Sequence, residues 1–172
     1  MKDEGNYYTG FLYAGLMITA DGTPKVIEYN CRFGDPETQP VLLRLKSDLV
    51  SHCMAALNNS LNREKVEWET RKSLGVVMAS GGYPGNYSNN HPILGLEDIS
   101  SKYGHKVFHG GTKFADNRLV TNGGRVLCVT ALGDSLEDAK TSAYELVSKI
   151  SWENVQYRTD IGWRAIEKNR KI

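Results

Sequence analysis

The chain has 172 residues, 40% of them hydrophobic and 24% charged, with a formal net charge of +1. This near-neutral balance argues against a nucleic-acid-binding surface or an anionic-membrane surface, because both need a concentrated basic patch. No apolar run approaches the roughly 20 residues that span a bilayer, and the first residues lack the hydrophobic segment of a signal peptide. We therefore expect one ordinary domain or two small ones, with no nucleic-acid partner and no membrane partner.

The cysteines predict a reducing compartment. Cys31, Cys53 and Cys128 are odd in number and far apart in sequence. They form no C-x-x-C pair and none of the usual metal-ligand spacings. We therefore expect reduced thiols and a cytoplasmic protein.

The first predicted element is an antiparallel hairpin over residues 11–30. The segment TGFLYAGLMI, residues 9–18, is apolar on both alternating faces, which is typical of a strand covered on both sides. Asp21 and Gly22 then predict a tight turn. The chain returns through KVIEYN as the second strand.

Two helices are predicted after the hairpin. Asp35 as cap and Pro36 at the first position predict the start of one helix, although Pro40 interrupts its pattern. Ser47 and Asp48 open a second helix with apolar residues at helical spacing, which ends in a polar run of Asn and Ser.

The second half of the chain predicts a small mixed module. LGVVMAS, HKVFHGGT and RLVTNGGRVLCVTALG are typical of short strands around glycine-containing turns. DSLEDAKTSAYELVSKI predicts a helix capped by Asp134 or Ser135. A polar, charged segment separates the two halves. We therefore expect an α+β protein with a first domain at residues 1–65 and a second domain at residues 66–172.

The stretch KVIEYNCRFGDPE, residues 25–37, contains the main candidate site. Strand periodicity places Glu28, Asn30 and Arg32 on one flank. We expect the alternate residues to pack into the core: Ile27, Tyr29, Cys31 and Phe33. Carboxylate and amide oxygens suit a hard cation such as Mg²⁺, which takes substrate phosphates as further ligands, and a guanidinium suits an anion beside it. The pattern predicts a site for a metal-bound polyphosphate, with a salt-bridged face that joins Glu28 to Arg32 as the alternative.

Several motifs together resemble one known family. YTGFLYAGLMI and PKVIEYNCRFGDPETQP, followed by SLGVVMASGGYPG, KVFHGGTKF, TNGGRVLCVTALG and DIGWRAI, resemble the C-terminal portion of the glycinamide ribonucleotide synthetases. These phosphoribosylamine–glycine ligases belong to the ATP-grasp superfamily. The resemblance implies the C-terminal part of an ATP-grasp domain (antiparallel hairpin plus helices), followed by a small mixed α+β C-terminal domain. It also implies a ligase of purine biosynthesis that joins glycine to 5-phosphoribosylamine, converting ATP to ADP and phosphate through an acyl phosphate.

The resemblance assigns roles to the residues of the candidate site. It implies that Glu28 and Asn30 hold the Mg²⁺ or Mn²⁺ that bridges the ATP phosphates. It implies that Arg32 is the catalytic residue, which stabilises charge on the transferring phosphoryl group or on the acyl phosphate. Many ATP-grasp enzymes take a further acid from the preceding strand, but that region reads GLMI in this chain. We therefore expect fewer protein ligands, with phosphate, water or another segment completing the metal shell.

The sequence contains none of the glycine-rich loop or ATP-binding lysines of the family's earlier part. We therefore expect a fragment that is inactive alone, gains activity with the missing N-terminal part of the same enzyme, and self-associates through its first hairpin. The alternatives are an ATP-grasp ligase or carboxylase of the biotin-carboxylase kind and a non-catalytic assembly module. The run NCRFGDPETQ favours the glycine ligase.

Four further residues are weaker candidates for contact with a ligand. Asp35 and Glu37 are placed to recognise the glycine ammonium or the amine nucleophile, with helix capping as the alternative. Arg125 in TNGGRVL follows two glycines whose N–H groups suit an anion, although Asn-Gly also favours a plain hairpin turn. His109 in FHGGT is open to the same two interpretations.

Overall fold

The computed structural model describes residues 1–99 and 103–169. The chain divides into two compact units: unit 1 comprises Met1–Thr38 and Leu45–Trp68, and unit 2 comprises Gln39–Arg44 and Glu69–Ile172. The strands pair in antiparallel fashion and occur together with short helices, which confirms the predicted α+β class. Within the described ranges, no helix has the length and apolar character needed to cross a bilayer.

Unit 1 contains the predicted hairpin. Strand β1 (Tyr13–Ile18) pairs antiparallel with strand β2 (Pro24–Asn30) in a two-stranded sheet. In the connecting turn Gly22 has a φ of 85°, which a residue without a Cβ adopts at no steric cost. Its N–H donates to the Thr19 carbonyl over 2.9 Å. The turn predicted at Asp21 and Gly22 is confirmed.

The prediction that one face of β2 forms a core is wrong. Ile27 is 64% exposed and Tyr29 is 61% exposed, and Cys31 is exposed as well. Phe33 is half-buried and stacks on Phe11 with ring centroids 4.0 Å apart. Among the residues that the structure describes, no third strand pairs with this two-stranded sheet. Alternation in the sequence identifies side chains that suit a covered face, but it does not provide the element that covers them.

Helix α1 (Thr38–Arg44) begins later than predicted. Asp35 is not its cap and Pro36 is not its first residue, because the first helical residue is Thr38. This start leaves Pro40 in the first turn, where a missing N–H has no cost. A helix that began at Pro36 would need an N–H from Pro40, which proline does not have.

Helix α2 (Leu49–Leu57) begins where the sequence predicts. The Asp48 carboxylate accepts the N–H groups of Val50 at 3.2 Å and Ser51 at 3.0 Å, which satisfies two donors at the helix start. The Ser51 hydroxyl and these N–H groups hold the pKa of the Asp48 carboxyl below its usual range. Asn58 follows the last helical residue, as predicted.

The described part of unit 2 contains five strands: β3 (Lys72–Ala79), β4 (His105–His109), β5 (Thr112–Ala115), β6 (Arg118–Thr121) and β7 (Arg125–Gly133). Strand β7 lies between β3 and β4 in a three-stranded antiparallel sheet, and β5 pairs with β6 in a separate hairpin. After its exposed first residue, β7 is buried along its whole length, because it is the central strand. It forms the middle of the core of unit 2.

The hairpin turns predicted at TNGG and FHGG are wrong. Strands β6 and β7 follow each other in sequence but belong to different sheets, as do β4 and β5. The glycines instead let two chain segments approach closely. The Asn122 N–H donates to the Gly111 carbonyl at 2.8 Å, and a Cβ on Gly111 would lie 2.8 Å from the Gly123 Cα.

Unit 2 also contains helices α3 (Leu136–Val147) and α4 (Trp163–Asn169). Ser135, one of the two predicted caps, accepts the Asp138 N–H at 3.0 Å, and Asp138 accepts the Ser135 N–H at 3.1 Å. This reciprocal pair is a capping box. One apolar face of α3 packs into the same core as strands β3 and β7, with buried members from all three: Val76, Met78, Val126, Val129, Ala139, Ala143 and Val147.

Candidate functional site

Glu28 and Asn30 lie together at the end of β2 in unit 1. Glu28 is paired across the hairpin with Gly15, and Asn30 is paired with Tyr13. The Asn30 amide Nδ2 donates to Glu28 Oε1 over 2.9 Å. Gly15 leaves room for this arrangement, since a Cβ there would lie 3.1 Å from Glu28 Cγ. The structure therefore places both side chains on one flank of the strand, adjacent to each other.

The Glu28 and Asn30 side chains fit a divalent cation once the Asn30 amide is rotated by a half-turn. Octahedral ligands of Mg²⁺ lie about 2.0–2.1 Å from the ion, so neighbouring ligand oxygens are roughly 3 Å apart. The 2.9 Å between Asn30 Nδ2 and Glu28 Oε1 is close to that spacing. A half-turn of the amide exchanges Nδ2 for Oδ1 and gives two oxygens at the separation that one ion requires. Oxygen donors of this kind suit Mg²⁺ or Mn²⁺.

Two protein oxygens leave most of an octahedral shell to other ligands. Among residues 1–99 and 103–169, no group of three or more His, Cys, Asp or Glu side chains is arranged to hold a metal ion. Magnesium is commonly held by one or two carboxylates together with substrate phosphates and water. The donor set at Glu28 and Asn30 is of that kind.

Arg32 lies just beyond β2 and is exposed. Its Nη1 donates to the Phe33 carbonyl at 2.7 Å. No ion pair joins Arg32 to Glu28, although the structure describes both residues, so the alternative of a salt-bridged strand face is wrong. The guanidinium follows the two candidate ligands in the chain and is held by the backbone rather than by a carboxylate.

Sequence reasoning missed a contact between Tyr13 and Glu37. The Tyr13 hydroxyl donates to Glu37 Oε1 over 3.2 Å. The Glu37 charge is the main cause of the raised pKa of Tyr13, burial adds to it, and Glu28 raises it further while Arg32 opposes the shift. The phenol on β1 therefore lies within the electrostatic reach of the site residues on β2 and beyond. The only local signal was a hydroxyl-bearing residue in an otherwise apolar strand.

Gly34 closes the turn between Arg32 and Glu37. A Cβ on Gly34 would lie 2.5 Å from Glu37 Oε2 and 2.8 Å from Tyr13 Cε2. Gly34 is buried, so the turn packs tightly against the Tyr13 ring. Asp35 is exposed in the same turn. The structure thus brings Glu37 to Tyr13.

Arg125 lies in unit 2, at the exposed start of β7. Its Nε donates to the Tyr83 hydroxyl at 3.0 Å, and its guanidinium lies 5.7 Å from the centre of the Tyr83 ring. Gly124 has no space for a Cβ because the Tyr83 ring occupies it. Sequence reasoning did not identify Tyr83 as the residue that holds Arg125. His109, at the end of β4, contacts Thr112 Oγ1 through Nδ1 at 3.2 Å.

Comparison with protein-family models gives two matches. Residues 73–164 match the model described as "Phosphoribosylglycinamide synthetase, C domain". Residues 1–38 match the model described as "Phosphoribosylglycinamide synthetase, ATP-grasp (A) domain". The chain belongs to the phosphoribosylglycinamide synthetase family. This confirms the family predicted from the motifs, and residues 28–32 fall within the ATP-grasp match. The domain boundary at residue 65 stays a prediction.

Curated relatives of this family cover nearly the whole chain. The chain is 59% identical to the phosphoribosylamine–glycine ligase of Escherichia coli K12 over 171 residues, which is 99% of this chain and 40% of that protein. It is 56% identical to the ligase of the same name from Vibrio parahaemolyticus, with the same coverage. The chain therefore spans about 40% of the length of the curated relatives that it matches.

Solved structures agree with the family. The crystal structure of the phosphoribosylamine–glycine ligase from Thermotoga maritima matches 92% of this chain and 38% of that one, with a TM-score of 0.80 and 36% identity. The Kluyveromyces lactis urea carboxylase matches 88% of this chain and 14% of that one, with a TM-score of 0.54 and 13% identity. The second likeness concerns the fold alone and does not favour the carboxylase alternative.

Proposed function

We propose that this chain forms part of a phosphoribosylamine–glycine ligase. This ligase joins glycine to 5-phosphoribosylamine in de novo purine biosynthesis, with ATP converted to ADP and phosphate through an acyl phosphate. The observation that carries the proposal is the 59% identity over 99% of the chain to a protein named for this activity. The ATP-grasp match over residues 1–38 supports ATP as the co-substrate.

The proposal gives Glu28 and Asn30 the role of ligands for Mg²⁺ or Mn²⁺. The bound ion would neutralise charge on the ATP phosphates. The 2.9 Å separation of the two side chains supports this role, because it is close to the spacing of neighbouring oxygens around one ion. Arg32 is the proposed catalytic residue. Its planar guanidinium suits the oxygens of a transferring phosphoryl group or an acyl phosphate, where phosphoryl transfer needs charge stabilisation.

Three residues are proposed to contact the substrates. Glu37 and Asp35 carry carboxylates in the turn after Arg32 and suit an ammonium or amine group. Arg125 suits an anionic group, because Tyr83 holds its guanidinium at the exposed start of β7. The remaining partner is the N-terminal part that the longer relatives contain. We propose that this chain does not turn over ATP without that part.

A chimeric enzyme tests the proposed function. The matching C-terminal segment of the Escherichia coli ligase is replaced by this chain, which is 59% identical to it. The chimera is expected to form ADP only when both glycine and 5-phosphoribosylamine are present, within about tenfold of the parental rate. A graft of the matching Vibrio parahaemolyticus segment, made at the same junction, controls for damage at the joint.

Two further samples complete this experiment. This chain alone is expected to form no ADP above background, and mixing it with the separate N-terminal part of the Escherichia coli ligase is expected to restore ligation. Turnover by this chain alone would contradict the proposal of an incomplete active site. An inactive chimera together with an active Vibrio graft would contradict the proposed function.

A further inference from the structure

Strand β1 contributes no acid to the candidate metal site, yet it contacts the site through Tyr13. The Tyr13 hydroxyl donates to Glu37 Oε1 at 3.2 Å, across 24 residues of sequence. Tyr13 is also the cross-strand partner of Asn30. One side chain therefore contacts the turn that follows Arg32, and its backbone pairs with a candidate metal ligand.

The hydrogen bond from Tyr13 to Glu37 is one of the contacts that hold the turn between Arg32 and α1. Gly34 lies beneath the Tyr13 ring with no room for a Cβ, and its carbonyl accepts both the N–H and the hydroxyl of Thr38. At the other end of the turn, Arg32 Nη1 donates to the Phe33 carbonyl, and the Phe33 ring stacks on Phe11. Removing the Tyr13 hydroxyl therefore releases a hydrogen bond that ties the Glu37 end of this turn to β1.

We propose that Tyr13 is a positioning residue for phosphoryl transfer, which holds Glu37 and thereby fixes the turn that carries Arg32 beside Glu28 and Asn30. The inference rests on the proposed function for its catalytic consequence. In this arrangement β1 contributes to the site through the Tyr13 phenol, which holds the Glu37 carboxylate by a hydrogen bond. Because the turn is already fixed, Arg32 loses less conformational entropy when the transition state forms.

The first test measures hydrogen exchange in the full chain without metal or nucleotide. Tyr13→Phe removes the hydroxyl and keeps the ring that covers Gly34. It is expected to speed exchange at the Thr38 amide by about tenfold, which is about the net contribution of one hydrogen bond whether or not its acceptor is charged. Glu37→Gln keeps an acceptor oxygen and is expected to stay within twofold of the unmodified chain, whereas Glu37→Ala is expected to match Tyr13→Phe.

Tyr29→Phe is the matched control. Tyr29 lies on the paired strand, opposite Ala14, and is 61% exposed. Removing its hydroxyl is expected to leave exchange at Thr38 unchanged within twofold. Equal exchange in Tyr13→Phe and Tyr29→Phe would overturn the inference, and so would fast exchange in Glu37→Gln.

The second test separates positioning from stability alone. In the chimeric enzyme, Tyr13→Phe is expected to lower kcat about tenfold and to change the KM for ATP less than twofold. The double variant Tyr13→Phe with Glu37→Ala is expected to have the kcat of Glu37→Ala alone, because both changes break one connection. Additive losses, or an unchanged kcat in Tyr13→Phe, would overturn the positioning role. An inactive chimera would contradict the proposed function, while the exchange test would still decide whether Tyr13 holds the turn.

Discussion

Replacing Glu28 by glutamine in the chimeric enzyme is expected to lower kcat by about 10²–10³-fold at a fixed Mg²⁺ concentration, which is the usual loss when a group that stabilises transition-state charge is removed. Glutamine keeps the size of the side chain but lacks the negative charge that binds a hard cation. The rate of ADP formation is measured against Mg²⁺ concentration, and the curve is expected to move to higher Mg²⁺.

Glu64→Gln is the control for this prediction. Glu64 is an exposed acid in the same unit, and it lies outside the hairpin and the turn that follows it. Glu64→Gln changes the net charge by the same amount as Glu28→Gln. It is expected to leave the dependence of the rate of ADP formation on Mg²⁺ concentration unchanged. If Glu28→Gln and Glu64→Gln gave the same curve, Glu28 would not be a metal ligand.

Replacing Gly95 by alanine is expected to destabilise unit 2 by about 2–4 kcal/mol, from backbone strain together with a forced shift of packed backbone. Gly95 has a φ of 85°, and a Cβ at this position would overlap the carbonyl oxygen of Lys149. The neighbouring backbone is fixed, because Leu94 and Ser151 exchange two hydrogen bonds of 2.9 and 3.1 Å. The free energy of unfolding is measured by urea denaturation, and the two proteins are compared with the same dependence of that free energy on urea concentration.

The variant Gly104→Ala separates the cost of backbone strain from the cost of steric overlap. Gly104 also lies in unit 2 and has a φ of 109°, but a Cβ there would have Arg71 Nη1 as its nearest neighbour, at an ordinary 3.5 Å. This variant is expected to cost only the strain of a positive φ, about 1–2 kcal/mol. Equal losses in the two variants would show that the Lys149 carbonyl moves away freely.

Local signals in the sequence predicted those elements whose causes are local. The Asp21-Gly22 turn, the Asp48 cap of α2 and the Ser135 cap of α3 each depend on groups within a few residues, and the structure has all three. The start of α1 was wrong although its signals were also local. Asp35 and Pro36 match a helix start, but the requirement that Pro40 lie in the first turn decides the position.

Strand pairing was harder to predict, because it depends on contacts far apart in sequence. Asn122-Gly123 has the composition of a hairpin turn, yet it connects strands of two different sheets. Its glycines serve the close approach of Gly111, which the short-range pattern does not reveal. The exposure of Ile27 has the same kind of cause, since a strand pattern does not show whether another element covers it.

The sequence predicted the part of the candidate site that lies within one strand, but not the part that joins distant segments. Alternation in one strand was enough to place Glu28 and Asn30 side by side, and the structure adds their 2.9 Å contact. The contact between Tyr13 and Glu37 joins residues 24 positions apart and requires the hairpin and the following turn to be folded. No spacing rule reports such a pair.

The most direct test of the metal site is a crystal structure of the chimeric enzyme with Mn²⁺ and an ATP analogue, in which anomalous scattering locates the ion. We expect a manganese peak roughly 2.0–2.2 Å from a Glu28 oxygen and from Asn30 Oδ1, with the amide rotated from its present orientation. A peak bound elsewhere, with Asn30 Nδ2 still 2.9 Å from Glu28 Oε1, would contradict it.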